Sequence, residues 1–594
     1  MIRLTEKQIN DKIKFIKDYQ LAKNAASGSK VDANANVSCK NIATMSAEIN
    51  KDINVQINRA MMREKIAELF SKELADEYIR QLECHEIYHH DQSSIPTPYC
   101  ASVSLYPFLL NGLKTVGGES EAPKNLNSFC GSFINLIFAL SSQFAGAVAT
   151  PEFLNMFDYF ARKQFGDNYL KTDTKEIEQH LQSVIYALNQ PASARNYQSC
   201  FCNFAIFDRH YFDTIFGVFM FPDGTYANYD SVSKLQEFFM TWFNKERTKA
   251  LLTFPVITAA LLSNNDKPKD EDFAGMICQQ LAEGNSFFIY SSDKADSLSS
   301  CCRLKNEISD NTFSHTLGAG GVSTGSINVI TLNLNSLIQE KRDLKQNIEQ
   351  IHKYQVAYRS IIKEFLDNNL LPAYNAGFIS MEKQFSTIGL NGIVEAAEYL
   401  GITANNNVQY KEFVANTLQV VYNANKEASK LYGCMFNTEF VPAENLGVKN
   451  ALWDKKKGLK VNRDCYNSYF FPVEDTSINL VDKFILHGND MIKYLDGGSA
   501  LHLNLEEYPT KEGYYKLLLL ALKTGCNYFT TNVKITLCNS CEYINKNTTV
   551  ECSKCGSKDV DWATRVIGYL KRISSFSEPR QKEASKRVYL NNSL

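Results

Sequence analysis

The chain carries almost no net charge. Its 594 residues hold 63 Lys and Arg against 65 Asp and Glu, a formal balance of −2, so no global field draws nucleic acid or an anionic membrane to it. It also lacks a long apolar run. The most hydrophobic stretches, 215–221 and 517–522, fall far short of the roughly 20 residues a bilayer crossing needs, which argues against a membrane protein. The start, Met1-Ile-Arg-Leu-Thr-Glu-Lys7, is charged and has no apolar core, so it does not read as a secretory leader. No internal repeat and no low-complexity tract is visible. Sixteen cysteines are too dilute for a disulfide scaffold. They read better as metal ligands, reactive thiols or core residues in a reducing cytoplasm.

What is present suits a large soluble α/β protein: 44% hydrophobic residues with 37 Phe and 30 Tyr for a core. Helical spacing over residues 50–82 includes Ile57, Met61, Ile66 and Leu69. A mostly helical apolar region follows over 125–165, broken at Ser141-Ser-Gln143, and reads as buried core or subunit interface. Residues 326–335 predict a strand. The spacing of Leu344, Ile348, Ile351, Tyr358, Ile362 and Phe365 predicts a long amphipathic helix after it, and strand followed by helix is the unit of an α/β barrel or layered sheet. The glycine-rich Gly318-Ala-Gly-Gly-Val-Ser-Thr-Gly-Ser326 has no Gly-Lys-Ser/Thr, so it is not a P-loop. It reads as a loop near substrate whose N–H groups approach phosphates.

Near the C-terminus, Cys538-Asn-Ser-Cys541 and Cys552-Ser-Lys-Cys555 form two CxxC knuckles ten residues apart. Each two-residue gap lets both thiolates turn onto one ion, and two knuckles complete a four-sulfur zinc site of the ribbon kind. Four thiolates fill the shell, so the zinc is expected to be structural. Gly568 lies 13 residues beyond Cys555. A lone glycine usually serves a turn or a close contact, but a glycine can also lose an α-hydrogen to give a radical delocalised over both flanking amides.

Here the sequence resembles a known family. Arg565-Val-Ile-Gly568-Tyr569-Leu, behind a four-cysteine site and ahead of a basic tail, is similar to the glycyl-radical loop of anaerobic, class III ribonucleotide reductases. Ile567 departs from the family's usual small or polar residue or cysteine. Asn34-Ala-Asn-Val37, Thr253-Phe-Pro-Val256, Cys301-Cys-Arg-Leu304, Thr324-Gly-Ser326, Thr387-Ile-Gly-Leu-Asn-Gly392 and Asp496-Gly-Gly498 occur in the family's order.

The resemblance implies a ten-stranded α/β barrel of the glycyl-radical type over 61–530. Before it stands an N-terminal segment, 1–60, too short for a full ATP-cone, and after it a zinc-ribbon and radical-loop module over 531–594. It implies anaerobic reduction of ribonucleoside triphosphates to deoxyribonucleoside triphosphates. Gly568 would store the radical and a cysteine thiyl would remove the ribose 3′ hydrogen. Cys302 is favoured for that thiyl because the family's reactive cysteine precedes Arg, here Arg303, while its neighbour Cys301 stays open.

Cys100, in Pro98-Tyr-Cys100, would be a second thiol, with formate as the expected donor. His90, in Tyr88-His-His-Asp91, reads either as a proton-transfer group or as a structural histidine. The resemblance further implies a homodimer with ATP or deoxynucleotide effectors at helices over 125–153. It also implies a separate activase carrying S-adenosylmethionine and a 4Fe–4S cluster. No nucleic-acid partner and no membrane association are expected. Other glycyl-radical enzymes lack a zinc ribbon before the glycine, and a zinc-ribbon binding protein would leave Gly568 and Cys302 without purpose.

Overall fold

The computed structural model describes residues 3–591 apart from 30, 32–35, 38, 193–197, 296, 301–303, 308–322, 441–444 and 567. Cys301, Cys302 and Arg303 lie outside the described residues, as do Asn34 and most of the glycine-rich stretch from Gly318.

Ten strands form the centre. In chain order they are β1 (Cys100–Ser102), β2 (Val148–Ala149), β3 (Cys202–Phe207), β4 (Val256–Asn264), β5 (Phe288–Ser292), β6 (Thr324–Asn333), β7 (Gln384–Asn391), β8 (Met435–Glu439), β9 (Leu501–Asn504) and β10 (Tyr528–Asn532). β1 to β5 pair side by side and parallel. β6 to β8 are parallel to one another, as are β9 and β10. A parallel bridge from Glu439 to Gly498 joins β8 to the approach of β9. The two five-stranded halves meet antiparallel at β1–β6 and at β5–β10. The circuit β1-β2-β3-β4-β5-β10-β9-β8-β7-β6 returns to β1, which is a closed ten-stranded barrel.

Strands of such a barrel are covered on both faces, so they show no apolar–polar alternation. Every residue of β6 and β7 is buried although both carry Ser, Thr and Asn. The seam at β1–β6 is tight. A Cβ added to Gly325 would lie 2.2 Å from the carbonyl oxygen of Cys100, so only glycine lets these backbones approach.

Helices cover the outside. The principal ones are α1 (Lys51–Leu69), α2 (Leu126–Ser141), α3 (Phe153–Phe165), α4 (Thr174–Leu188), α5 (Leu344–Asp367) and α6 (Val408–Tyr432). α5 begins where Asp343 accepts from the Gln346 N–H, a side-chain cap that satisfies one of the helix's free donors. Ile348, Ile351, Tyr358 and Ile362 on its apolar face are buried as the spacing predicted. α5 is fixed to the barrel by Gln355, which donates to the Thr387 carbonyl at 2.7 Å, and by Arg359, which donates to the Gln384 carbonyl at 2.9 Å.

One helical reading needs adjustment. On α1 the buried positions are Asn58, Met62 and Ile66, while Ile57 and Leu69 are exposed. The apolar face of α2, read as buried core or subunit interface, packs in part within the chain: Phe129 and Phe133 pack on Phe153 and Phe160 of α3. No helix among the described residues is long and apolar enough to cross a membrane.

After β10 comes a four-stranded antiparallel ribbon, β11 (Ile535–Cys538), β12 (Ile544–Asn545), β13 (Val560–Thr564) and β14 (Lys571–Arg572). A final helix, α7 (Glu578–Lys586), follows.

Candidate active site and metal centre

Register defines the inner face of the barrel. Val329 of β6, Thr387 of β7 and Asn437 of β8 stand opposite one another. The next residue, Thr438, accepts a hydrogen bond from Asn425 on α6 outside the barrel. Because side chains alternate along a strand, Thr387 and Asn437 point inward. Ser326 bonds the Thr387 hydroxyl at 2.8 Å and pairs with Cys100 across the seam, so Cys100 belongs to the same face. It is buried against Ala147, Ala149 and Phe201.

Polar atoms on this face are left open. Both amide atoms of Asn437, Oδ1 of Asn203 and Oγ of Ser102 are buried and have no partner among the described residues. Buried polar groups are nearly always paired, so these orphans mark where a polar ligand would supply the missing donors and acceptors.

Toward the other end of β6, Thr331, Gly389 and Glu439 align on the inner face. His90 reaches Thr331 with Nε2 at 2.8 Å from its hydroxyl. Gly389 contributes no side chain, which leaves room between the His90–Thr331 pair and the buried Glu439.

Gly568 is buried, and its neighbour Tyr569 meets Phe201 edge-on at 5.3 Å and Phe254 at 5.7 Å. Phe201 therefore touches both the Cys100 cluster and Tyr569, and links Cys100 to the loop through two aromatic rings. The loop is held by its backbone. Asn532 donates to the Arg565 carbonyl at 3.1 Å, and Arg587 donates to the carbonyls of Arg565 and Val566 at 3.3 and 2.7 Å. Burial works against the charge of Arg587, but Glu583 at 2.9 Å raises its pKa above the usual arginine value. Beyond α7, Val588 donates to the Val473 carbonyl. Leu590 donates to Asn504 and accepts from Glu506, which zips the tail onto β9.

In the ribbon the four cysteine sulfurs lie within 4.8 Å of one another, with Cys538–Cys555 and Cys541–Cys552 both at 3.6 Å. Zn–S bonds of about 2.3 Å in a tetrahedron put sulfurs about 3.8 Å apart, so Cys538, Cys541, Cys552 and Cys555 fit one zinc ion. Cys202, Cys278, Cys465 and Cys526 are buried, and burial pushes their thiols up to about 12.

The sequence offered Gly568, Cys302, Cys301, Cys100, His90 and the four ribbon cysteines as candidates, and quoted Ser326, Thr387, Phe254 and Tyr569 only as parts of motifs. It did not offer Asn437, Glu439 or Phe201. Nothing local singles those residues out, because barrel closure brings them together from segments hundreds of residues apart.

A closed barrel of two parallel five-stranded halves, with a buried glycine and a four-cysteine ribbon behind it, is the glycyl-radical enzyme architecture. The family model for anaerobic ribonucleoside-triphosphate reductase matches residues 47–590, and the chain belongs to that family. It is thus an oxidoreductase that reduces ribonucleoside triphosphates to deoxyribonucleoside triphosphates by radical chemistry.

Among solved structures, an anaerobic ribonucleotide reductase is 28% identical over 99% of this chain and 94% of its own, with a TM-score of 0.86. The Thermotoga maritima anaerobic ribonucleotide reductase with dATP in its specificity site is 27% identical over 97% of this chain and 100% of its own, at 0.82. The same enzyme in complex with dATP and CTP is 28% identical over 98% and 100%, also at 0.82. No curated protein matches the sequence.

Proposed function

We propose that Gly568 stores the radical and that a cysteine at 302, or its neighbour 301, relays it to substrate. The relay cysteine gives its sulfhydryl hydrogen to the Gly568 α-carbon and becomes a thiyl. That thiyl removes the 3′ hydrogen of the ribose, and the 2′ hydroxyl leaves as water once protonated. Two electrons and a proton then complete the 2′ methylene, and the relay cysteine returns its hydrogen to C3′. Formate, oxidised to carbon dioxide, is the external donor in this reading, and Cys100 takes part in the reduction as the second thiol. The barrel's part is to hold the ribose and to exclude water and oxygen.

Specific inner-face residues take roles in this scheme. Asn437, Asn203 and Ser102 hydrogen-bond the sugar. His90 and Glu439 are the groups that move protons at the hydroxyls. The four ribbon cysteines hold a structural zinc that shapes the platform of the radical loop, and they take no step in the reaction.

The organisation follows the same reading: an N-terminal segment over 1–60, the catalytic barrel over 61–530, and the ribbon and loop over 531–594. The relatives' complexes support dATP as an effector at a specificity site and CTP as a substrate. The enzyme is a cytoplasmic homodimer and receives its radical from an activase that uses S-adenosylmethionine and a 4Fe–4S cluster.

The burial of Gly568 two aromatic rings from Cys100 is the observation that carries the proposal. Its test is low-temperature electron paramagnetic resonance of anaerobically activated protein. The wild type is expected to give a doublet from the glycine α-carbon and to make deoxynucleotide. Gly568→Ala is expected to give neither, with an unchanged circular-dichroism spectrum. Deoxynucleotide formation by the alanine variant overturns the assignment.

A further inference from the structure

Where the barrel, the ribbon hairpin and the radical loop meet there is a cavity of about 30 Å³, room for one or two waters or an anion of a few atoms. Arg247, Ser286, Tyr508 and Lys546 line it, and Leu570, two residues past Gly568, forms part of its wall. Arg247 lines the cavity, and Arg565, behind its wall, converges with it on the Ser286 carbonyl. Both donate to one acceptor, the Ser286 carbonyl, at 2.8 and 3.0 Å.

Neither guanidinium meets a carboxylate among the described residues. The other partners of Arg247 are the Leu252 carbonyl, the Asn285 side chain and the face of Phe243. Arg565 lies over Phe288. Arg247 is 7% exposed and Arg565 1% exposed. Nη2 of the first, and Nε and Nη1 of the second, have no partner among the described residues.

Arg587, also buried, has Glu583 as its counter-charge, whereas the buried Arg359 donates to backbone carbonyls alone. A buried cation without a counter-charge is costly, and here two sit at one oxygen. Burial first, and then Arg565, lowers the Arg247 pKa to about 9. No neighbour neutralises them. Burial pushes the Tyr508 phenol above the usual tyrosine value, so it stays uncharged. Lys546 adds a third cation and turns its ammonium to Asn244 and the Glu283 backbone carbonyl. The Glu283 carboxylate accepts from Gln279 instead.

We infer that this cavity is the seat of one small planar oxyanion, a carboxylate or carbonate of three or four heavy atoms. The anion takes the open Nη2–H of Arg247 beside Lys546 and offsets the charge of the Arg247–Arg565 pair. Planar oxyanions suit guanidinium forks, which offer two parallel donors. Because Arg565 and Leu570 bracket Gly568 and Lys546 comes from the ribbon, the bound anion ties the loop and the ribbon to the barrel.

The experiment uses the full-length zinc-loaded protein without activation, so its outcome is independent of whether Gly568 carries a radical. 13C-formate, 13C-bicarbonate and inorganic phosphate are titrated separately at constant ionic strength set with chloride, and line broadening and amide exchange over 565–572 are followed. Formate or bicarbonate is expected to broaden saturably and to slow exchange at least 10-fold, with the two arms naming the source. Arg247→Gln is expected to weaken binding at least 10-fold. Lys546→Met, on the half-exposed rim, is expected to weaken it severalfold and serves if the first variant does not fold. Absence of saturable binding, binding of phosphate alone, or wild-type affinity in Lys546→Met overturns the inference.

Discussion

The barrel and the ribbon solve the same problem with different means. In the barrel, strands such as β4, with Val256, Ile257, Ala259, Ala260, Leu261 and Leu262 buried, belong to one continuous apolar core that extends through the surrounding helices. The ribbon's own core is Ile535, Leu537, Ile544, Ala563 and Leu570, with Leu251 packed against it. That is too little apolar area to fix a fold of this size, and the four-cysteine site takes its place. The radical loop divides between them: Val566 and Tyr569 pack into the barrel core while Leu570 packs into the ribbon core. A loop shared by a permanent core and a metal-dependent one can be released by loosening one side alone.

Metal removal is the strongest way to test that contrast. Structural zinc sites contribute on the order of 10 kcal/mol to folding of their modules. Chelation under reducing conditions, or Cys541→Ser, is expected to open 535–572 to limited proteolysis and to abolish radical installation, with the barrel's thermal transition retained. Loss of both transitions together would mean the two regions fold as one.

The aromatic anchor comes next. Tyr569→Ala removes the ring between Phe201 and Phe254, and truncations of large buried side chains cost roughly 3–5 kcal/mol. Hydrogen exchange over 565–572 is expected to accelerate by two orders of magnitude or more. Exchange in β4 is expected to stay unchanged, and equal acceleration there would contradict a separable loop.

The smallest effect belongs to the barrel itself. Glu152 is fully buried, and burial raises its pKa to about 7 against hydrogen bonds from the Leu105 N–H and Ser104 that lower it. The folded state therefore holds a proton that the unfolded chain releases near pH 4.5. Stability is highest below that value, falls as pH rises toward 7, and stays low above it. Glu152→Gln is expected to remove this slope and to gain about 3 kcal/mol over wild type at pH 8 relative to pH 4, read by denaturant unfolding. The ribbon's transition should not follow it.

The contrast between the regions also governs what could be read from sequence. The metal site was legible because its chemistry is local: two CxxC knuckles carry their geometry in their spacing. The helix Leu344–Asp367 was legible because one of its faces is solvated and the apolar period survives. The barrel strands were mostly illegible, since burial on both faces erases alternation. β6 was the exception, through its β-branched residues. α2 was ambiguous for a related reason. Its wide apolar face reads equally well as a subunit contact and as buried core, and the packing of Phe129 and Phe133 on α3 shows the part of it that is core. Asn437 and Glu439 could not be singled out because only strand register brings them onto the same inner face as Cys100 and Thr331.

The tail after α7 returns to the barrel, where Leu590 lies alongside β9 between Asn504 and Glu506. Gly568 thus hangs in a sling fastened on both sides: at β10 by Asn532 and past α7 by Leu590. Any protein that needs to grasp the glycine backbone has to unhook this distal end first, peeling residues 586–591 away before the Arg587 grip on the Arg565 and Val566 carbonyls gives way. In the activation proposed above, the far strap sets the order of opening, and release begins some twenty residues beyond Gly568.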